Sequence, residues 1–115
     1  MNSALILVAE AKESTKDSRI DRLTISGTIT EGKDLRYTPG GIAVWEGTLH
    51  HASEAFEAGA ARRLEFDFSA IAFSDAAIRL AKEPVGRSLQ MIGFIAPRSV
   101  RTQRLVVHIT EYKEI

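Results

Sequence analysis

Arg22-Leu23-Thr24-Ile25-Ser26-Gly27-Thr28-Ile29 alternates strictly, and Tyr37-Thr38-Pro39-Gly40-Gly41-Ile42 follows a few residues later. In the first stretch Leu23, Ile25, Gly27 and Ile29 share one face, with Arg22, Thr24, Ser26 and Thr28 on the other. That period of two is the pattern of a half-buried strand. Gly27 in its middle suggests a bend or bulge, the device by which a small barrel turns a strand around a corner. Leu35-Arg36-Tyr37 is read as the strand's continuation, and Pro39-Gly40-Gly41 as the turn that follows it.

The same alternation continues downstream. A second strand is expected from Ile42 to about His51, with Ala43, Trp45, Gly47 and Leu49 inward and Gly47 leaving room for the indole. A surface loop is expected over Ala52 to Ala61. In a third strand Leu64, Phe66, Phe68, Ala70 and Ala72 face one side, and Arg63, Glu65, Asp67 and Ser69 the other. One helix follows, with Ser74 as N-cap, Asp75 at the positive end of the dipole, Lys82 in the last turn and Pro84 as the stop. A fourth strand is expected over Ser88 to Ile95 with a corner at Gly93, then a loop at Pro97 to Gln103, then a fifth strand from Arg104 to Tyr112. Five strands with a helix after the third point to an all-β, five-stranded Greek-key barrel of the oligonucleotide-binding (OB) fold. The barrel is expected over residues 20–115. Residues 1–19 read as a partly mobile N-terminal extension, polar from Lys12 to Ser18.

A chain of 115 residues is one domain by length. The absence of cysteine excludes disulfides and thiolate metal sites. The apolar run Ala4 to Ala9 is too short to span a bilayer and lacks a basic stretch before it, so a cytoplasmic, non-membrane protein is expected. Lys and Arg balance Asp and Glu at 15 each, which argues against a molecule that is basic all over. The charges are unevenly placed, however. Between Glu83 and Glu111 every formal charge is positive, at Arg87, Arg98, Arg101 and Arg104, and such a tract can form one basic edge.

Parts for catalysis are missing: there is no thiol, no glycine-rich phosphate loop and no serine in a nucleophile elbow. Glu65 and Asp67 are expected to point apart rather than to act as a carboxylate pair. His50 and His51, adjacent in a strand, face opposite ways and cannot share a metal ion. Neither enzyme activity nor any cofactor is expected. Trp45, Phe66 and Phe68 are read as core, and Phe94 as filling a second apolar side of the barrel or a subunit contact.

Taken in order, Arg22-Leu23-x-Ile25-Ser26-Gly27-Thr28, Thr38-Pro39-x-Gly41-Ile42, Leu49-x-His51-x-Ser53, Glu57-Ala58-Gly59, Arg62, Val85-Gly86, Gly93-Phe94-Ile95 and Leu105-Val106-Val107-His108 resemble the bacterial primosomal replication protein N (PriB) family, of the single-strand-binding protein superfamily. The resemblance covers about Asp21 to Tyr112. It implies a homodimer that binds single-stranded DNA and contacts the primosomal helicase, stimulating it during replication restart at stalled forks. Two departures bear on that implication. The best-known family members carry exposed aromatics on the third strand and in the loop before it, where this chain has Glu65 and Ala60. Their last loop is lysine-rich, whereas this chain offers arginines, which grip phosphate with a bidentate fork.

DNA contact is therefore expected from Arg98, Arg101 and Arg104, with Arg62 and Arg63 beside them. Arg36 and Lys33 are secondary candidates, and Tyr37 is a possible base contact. The alternatives are a general single-strand-binding protein, and an OB-fold interaction module of the primosome with little DNA binding of its own.

Overall fold

The computed structural model describes residues 21–115, so the extension expected over residues 1–19 lies outside the described residues. Six strands and one helix follow in order: β1 (Leu23–Gly32), β2 (Arg36–Tyr37), β3 (Ala43–Glu57), β4 (Ala60–Phe73), α1 (Ser74–Leu80), β5 (Ser88–Pro97) and β6 (Leu105–Glu114). The sheet runs β1-β5-β6-β4-β3-β2, and β1 also pairs with β3, which closes the five long strands into a barrel. Only β4 and β6 pair in parallel, through Ala70–Val107, Ile71–His108 and Ala72–Ile109; the other ladders are antiparallel. This is the OB barrel that the alternation predicts.

The core forms where the inward faces meet: Ile29, Trp45, Leu49, Ala70, Ala72, Leu89, Met91, Val107 and Ile109 are buried. The helix lies against β3, β4 and β6 and seals one end with Ala77 and Leu80, both fully buried. Trp45 is core, 2% exposed, and an added Cβ at Gly47 would stand 2.5 Å from its ring. Gly93 is fixed more tightly still. A Cβ there would lie 1.7 Å from the His108 carbonyl oxygen, at the register shift between β5 and β6 that bends the sheet.

Several local expectations need correction. Gly27 lies in an unbroken ladder; the bulge falls between Ile29 and Glu31, and Gly27 instead lets β1 approach Leu49 and Phe68. Ser74 is not the N-cap. β4 runs straight into the helix, so the cap position is Phe73, extended and without a side-chain capping bond, while Ser74 takes φ of 59°. The helix ends at Leu80, which leaves Arg79, not Lys82, as the basic residue of its last turn.

The largest correction concerns Ala52 to Ala61. No loop lies there: β3 and β4 stay paired to Glu57–Ala60, joined by Ala58 and Gly59, both at positive φ as a two-residue hairpin requires. Past His50, β3 has no ladder to β1, and before Ala70, β4 has none to β6. The hairpin thus leaves the barrel as a two-stranded ribbon. Phe66 lies on that ribbon rather than in the core, 43% exposed and tilted against His51 and Phe68.

Candidate nucleic-acid interface

The candidate site is built on the outer face of β3. Glu46 points outward from a strand that is otherwise apolar at this end, yet it is 6% exposed. A carboxylate held away from water must be paired. Here Arg98 Nη1 donates to Oε1 at 2.9 Å and Arg36 Nη2 lies 2.6 Å from Oε2. The bond from Arg98 outweighs the opposing effect of burial, and together with Arg36 it holds the Glu46 carboxyl below its ordinary range. The same bond raises the Arg98 guanidinium above its own. Arg36 lies in β2, just past the β1–β2 connection, and Arg98 in the loop after β5. One carboxylate therefore ties β2 to the β5–β6 loop, and the N–H of Lys33, in the β1–β2 connection, donates to the Glu46 carbonyl at 2.9 Å.

Between these loops lies a cleft of about 260 Å³, lined by Glu31, Lys33, Glu46, Gly47, Thr48, Ser69, Ala70, Arg98, Arg104 and Val106. Small residues form much of its lining, and its ionisable side chains are three cations and two carboxylates. The β5–β6 loop is shaped by its own hydroxyls. Ser99 Oγ accepts from the N–H groups of Arg101 and Thr102, Thr102 Oγ1 accepts from the Arg104 N–H, and the Arg98 N–H donates to the Arg104 carbonyl. Among the described residues neither Arg101 nor Arg104 has a carboxylate partner.

The structure thus brings Lys33, Arg98 and Arg104 to one cleft, with Arg36 joined to its rim through Glu46 and Arg101 on the β5–β6 loop. Tyr37 is 60% exposed but lies next to Arg36 in β2, so it takes the opposite face. Arg62 and Arg63 stand apart from the cleft. They lie nine and eight positions along β4 from Ile71, the partner of Glu46. At about 3.3 Å per residue that is roughly 25–30 Å. Each has a carboxylate neighbour: Arg62 pairs with Glu57, and Arg63 lies 3.4 Å from Glu65. The basic edge suggested by the tract from Arg87 to Arg104 does not form as one surface. Arg87 sits at the far end of β5, bonded to Glu83 and Glu114.

Between the cleft and the ribbon tip lies a charged cluster. Glu65 and Asp67, two residues apart on one strand, share the outer face rather than pointing apart, and they close on His50 from both sides. Asp67 Oδ1 is 2.6 Å from Nδ1 and Glu65 Oε2 is 3.0 Å from Nε2. Both acceptors favour the doubly protonated ring, so the His50 pKa is raised, first by Asp67 and then by Glu65. His51 faces the other way: its Nδ1 donates to the Ser26 carbonyl, and its Nε2 pairs with the Ser53 hydroxyl. Two functional candidates escaped the sequence reading, Glu46 and the 79% exposed Phe56. Their signals are a lone carboxylate in an apolar strand and a lone aromatic in a polar run.

An OB barrel with a cleft between its flanking loops is the frame on which single-strand-binding proteins are built. Residues 21–111 match the model of a family described as another single-strand binding protein family. The replication restart protein PriB of Nitrosomonas europaea is 39% identical over 101 residues, covering 86% of this chain and 94% of that one. PriB of Bordetella pertussis is 35% identical over 96 residues, covering 84% and 90%. In structure, PriB of Ralstonia solanacearum superposes with a TM-score of 0.75 at 31% identity, covering 84% of this chain and 99% of that one. The single-stranded DNA binding protein of Thermus aquaticus, at 18% identity and a TM-score of 0.66, shares the fold over 84% of this chain and 50% of its own. The chain belongs to the PriB family.

Proposed function

We propose that this protein binds single-stranded DNA as an accessory factor of replication restart, without chemistry of its own. The observation that carries the reading is the cleft itself. Lys33, Arg98 and Arg104 converge on an outer face of the barrel, where a phosphate backbone can lie across small residues, and Arg36 joins them through Glu46. Contact of this kind is electrostatic and indifferent to sequence. The names of the relatives support the restart role. A homodimer, contact with the primosomal helicase, stimulation of that helicase and a cytoplasmic location belong to the same proposal.

The test is anisotropy of a labelled thirty-base oligothymidine at several salt concentrations. Contacts from Lys33, Arg101 and Arg104, which have no carboxylate partner among the described residues, give a log–log slope of about −2.1 for single strands. Absence of binding at low salt refutes the reading. A second reading, an interaction module with little DNA affinity, is favoured by one observation: Arg36, Arg62, Arg63 and Arg98 all lie against carboxylates. Joint Arg98→Glu and Arg101→Glu substitution separates the two. It abolishes DNA binding on the first reading and leaves helicase stimulation intact on the second.

A further inference from the structure

Unpaired strands are held by base stacking as well as by charge, and the cleft lined by Lys33, Arg98 and Arg104 contains no aromatic side chain. The ribbon offers one ring in an unusual setting. Phe56 is 79% exposed, the most exposed aromatic among the described residues. It lies directly across the ladder from Ala61, whose methyl group leaves the ring uncovered. No aromatic neighbour stacks on it among the described residues.

Its surroundings favour a nucleic-acid base over another apolar surface. Cross-strand register places Phe56 and Arg63 on the same outer face, with Ala61 beside both. A flat ring next to a guanidinium suits a nucleotide, which presents a planar base and a phosphate together. Of the carboxylates on this face, Glu65 and Asp67 bond His50 and Arg63 lies against Glu65, while Glu54 stands directly across the ladder from Arg63. The face is also continuous with the cleft. Following β3 inward from Phe56, the outward positions are Glu54, Ala52, His50 and Thr48, and Thr48 lines the cleft itself.

We infer that Phe56 is a base-stacking platform for single-stranded DNA, supplied by the ribbon that extends β3 past the cleft. This deepens the DNA-binding proposal and rests on it. The strand would be held by charge at the cleft and by a stacked base at the ribbon tip.

The test uses the full chain, with Phe56→Ala and Phe56→Trp, against two oligomers of equal length: oligothymidine and an all-abasic strand with the same phosphates. Phe56→Ala is expected to weaken oligothymidine binding about tenfold, in line with the loss of one stacked base, and to leave the abasic strand unchanged. Phe56→Trp is expected to retain the wild-type affinity, and its fluorescence to be quenched by oligothymidine, because the buried Trp45 is shielded from the DNA. Equal binding of oligothymidine by wild type and Phe56→Ala overturns the inference while leaving the DNA-binding reading in place. Equal losses toward both oligomers, or an unquenched tryptophan, overturn it too. Failure of the wild type to bind either oligomer overturns the DNA-binding reading, and this one with it.

Discussion

Glu46→Gln probes the clasp between β2 and the β5–β6 loop, and it moves stability and binding in opposite directions. The amide keeps the shape of the carboxylate but removes its charge. In the cleft Lys33, Arg98 and Arg104 then face Glu31 alone, so the formal charge of the lining rises from plus one to plus two. On the stability side, the carboxylate is 8% exposed while its arginine partners are 45% and 53% exposed. The arrangement lies between a surface pair, worth about 0–1 kcal/mol, and a fully buried one, whose disruption costs about 3–5 kcal/mol. Because both guanidiniums reach water, a loss of about 1–2 kcal/mol is expected, a fall in Tm of roughly 4–12 °C for a domain near this size. The dependence on pH has a definite sign. The folded-state pKa of Glu46 lies below its ordinary 4.5, so its contribution is complete above that value and is lost as pH falls through the folded-state pKa. Glu46→Gln lacks that part of the acid transition.

On the binding side, two guanidiniums lose their fixed anion and become available to phosphate. Each added contact on a single strand steepens the salt dependence by about 0.7, so the slope grows by up to about 1.4 and affinity at low salt increases. Urea denaturation and anisotropy across a salt series read the two effects separately. A variant that is less stable yet shows an unchanged or shallower salt slope would refute the reasoning. Arg36 and Arg98 would then serve the fold alone, with phosphate contact left to other residues.

Gly93→Ala would place a Cβ against the His108 backbone, and neither strand can yield without breaking the barrel; little or no folded protein is expected in a soluble-yield and urea assay. The histidines pull stability in opposite directions. His50, with its raised pKa, adds stability below about pH 6.5 that is lost as pH rises through its folded-state pKa, whereas His108, lowered by burial, removes stability as pH falls below 6.5. The pH dependence of the urea midpoint in His50→Gln and His108→Gln separates the two. Tyr112 donates to Glu83 at 2.9 Å, and burial pushes its phenol up to about 12; Tyr112→Phe costs about 1–2 kcal/mol and removes that alkaline step from an absorbance titration.

The barrel was legible because alternation and packing agree. Leu49, Ala70, Ala72 and Trp45 fall inward by period, and Gly47 is explained by the indole beside it. The ribbon was not legible, for the converse reason. Glu54-Ala55-Phe56-Glu57 and Ala60-Ala61-Arg62 have weak strand preference and no buried face, so neither periodicity nor propensity marks them. Cross-strand pairing and a two-residue turn at Ala58-Gly59 hold them extended. Phe66 was misread for the same reason: period two gives a residue's face, while burial depends on whether the barrel continues behind it.

The charges teach a different lesson about sequence. Read in one dimension, the run from Arg87 to Arg104 looks like a basic edge and Glu46 looks incidental. In the folded chain β5 carries Arg87 and Arg98 to opposite ends, roughly 35 Å apart at about 3.3 Å per residue, and Arg87 is neutralised by Glu83 and Glu114. Arg98 is turned toward a carboxylate 52 positions away. The cleft's charge is therefore set by pairings across elements, with Glu46 on β3 restraining Arg36 and Arg98 together. A neutral molecule can carry a positive cleft this way. Restraint by an acidic partner also fixes a guanidinium's direction, which lowers the entropy lost when phosphate arrives, at the expense of competing for the same donors. Glu46→Asp distinguishes which effect governs. The shorter side chain keeps the charge but cannot reach both arginines in the same geometry, so a loss of affinity at unchanged net charge points to preorganisation. A gain, like that expected for Glu46→Gln, points to competition.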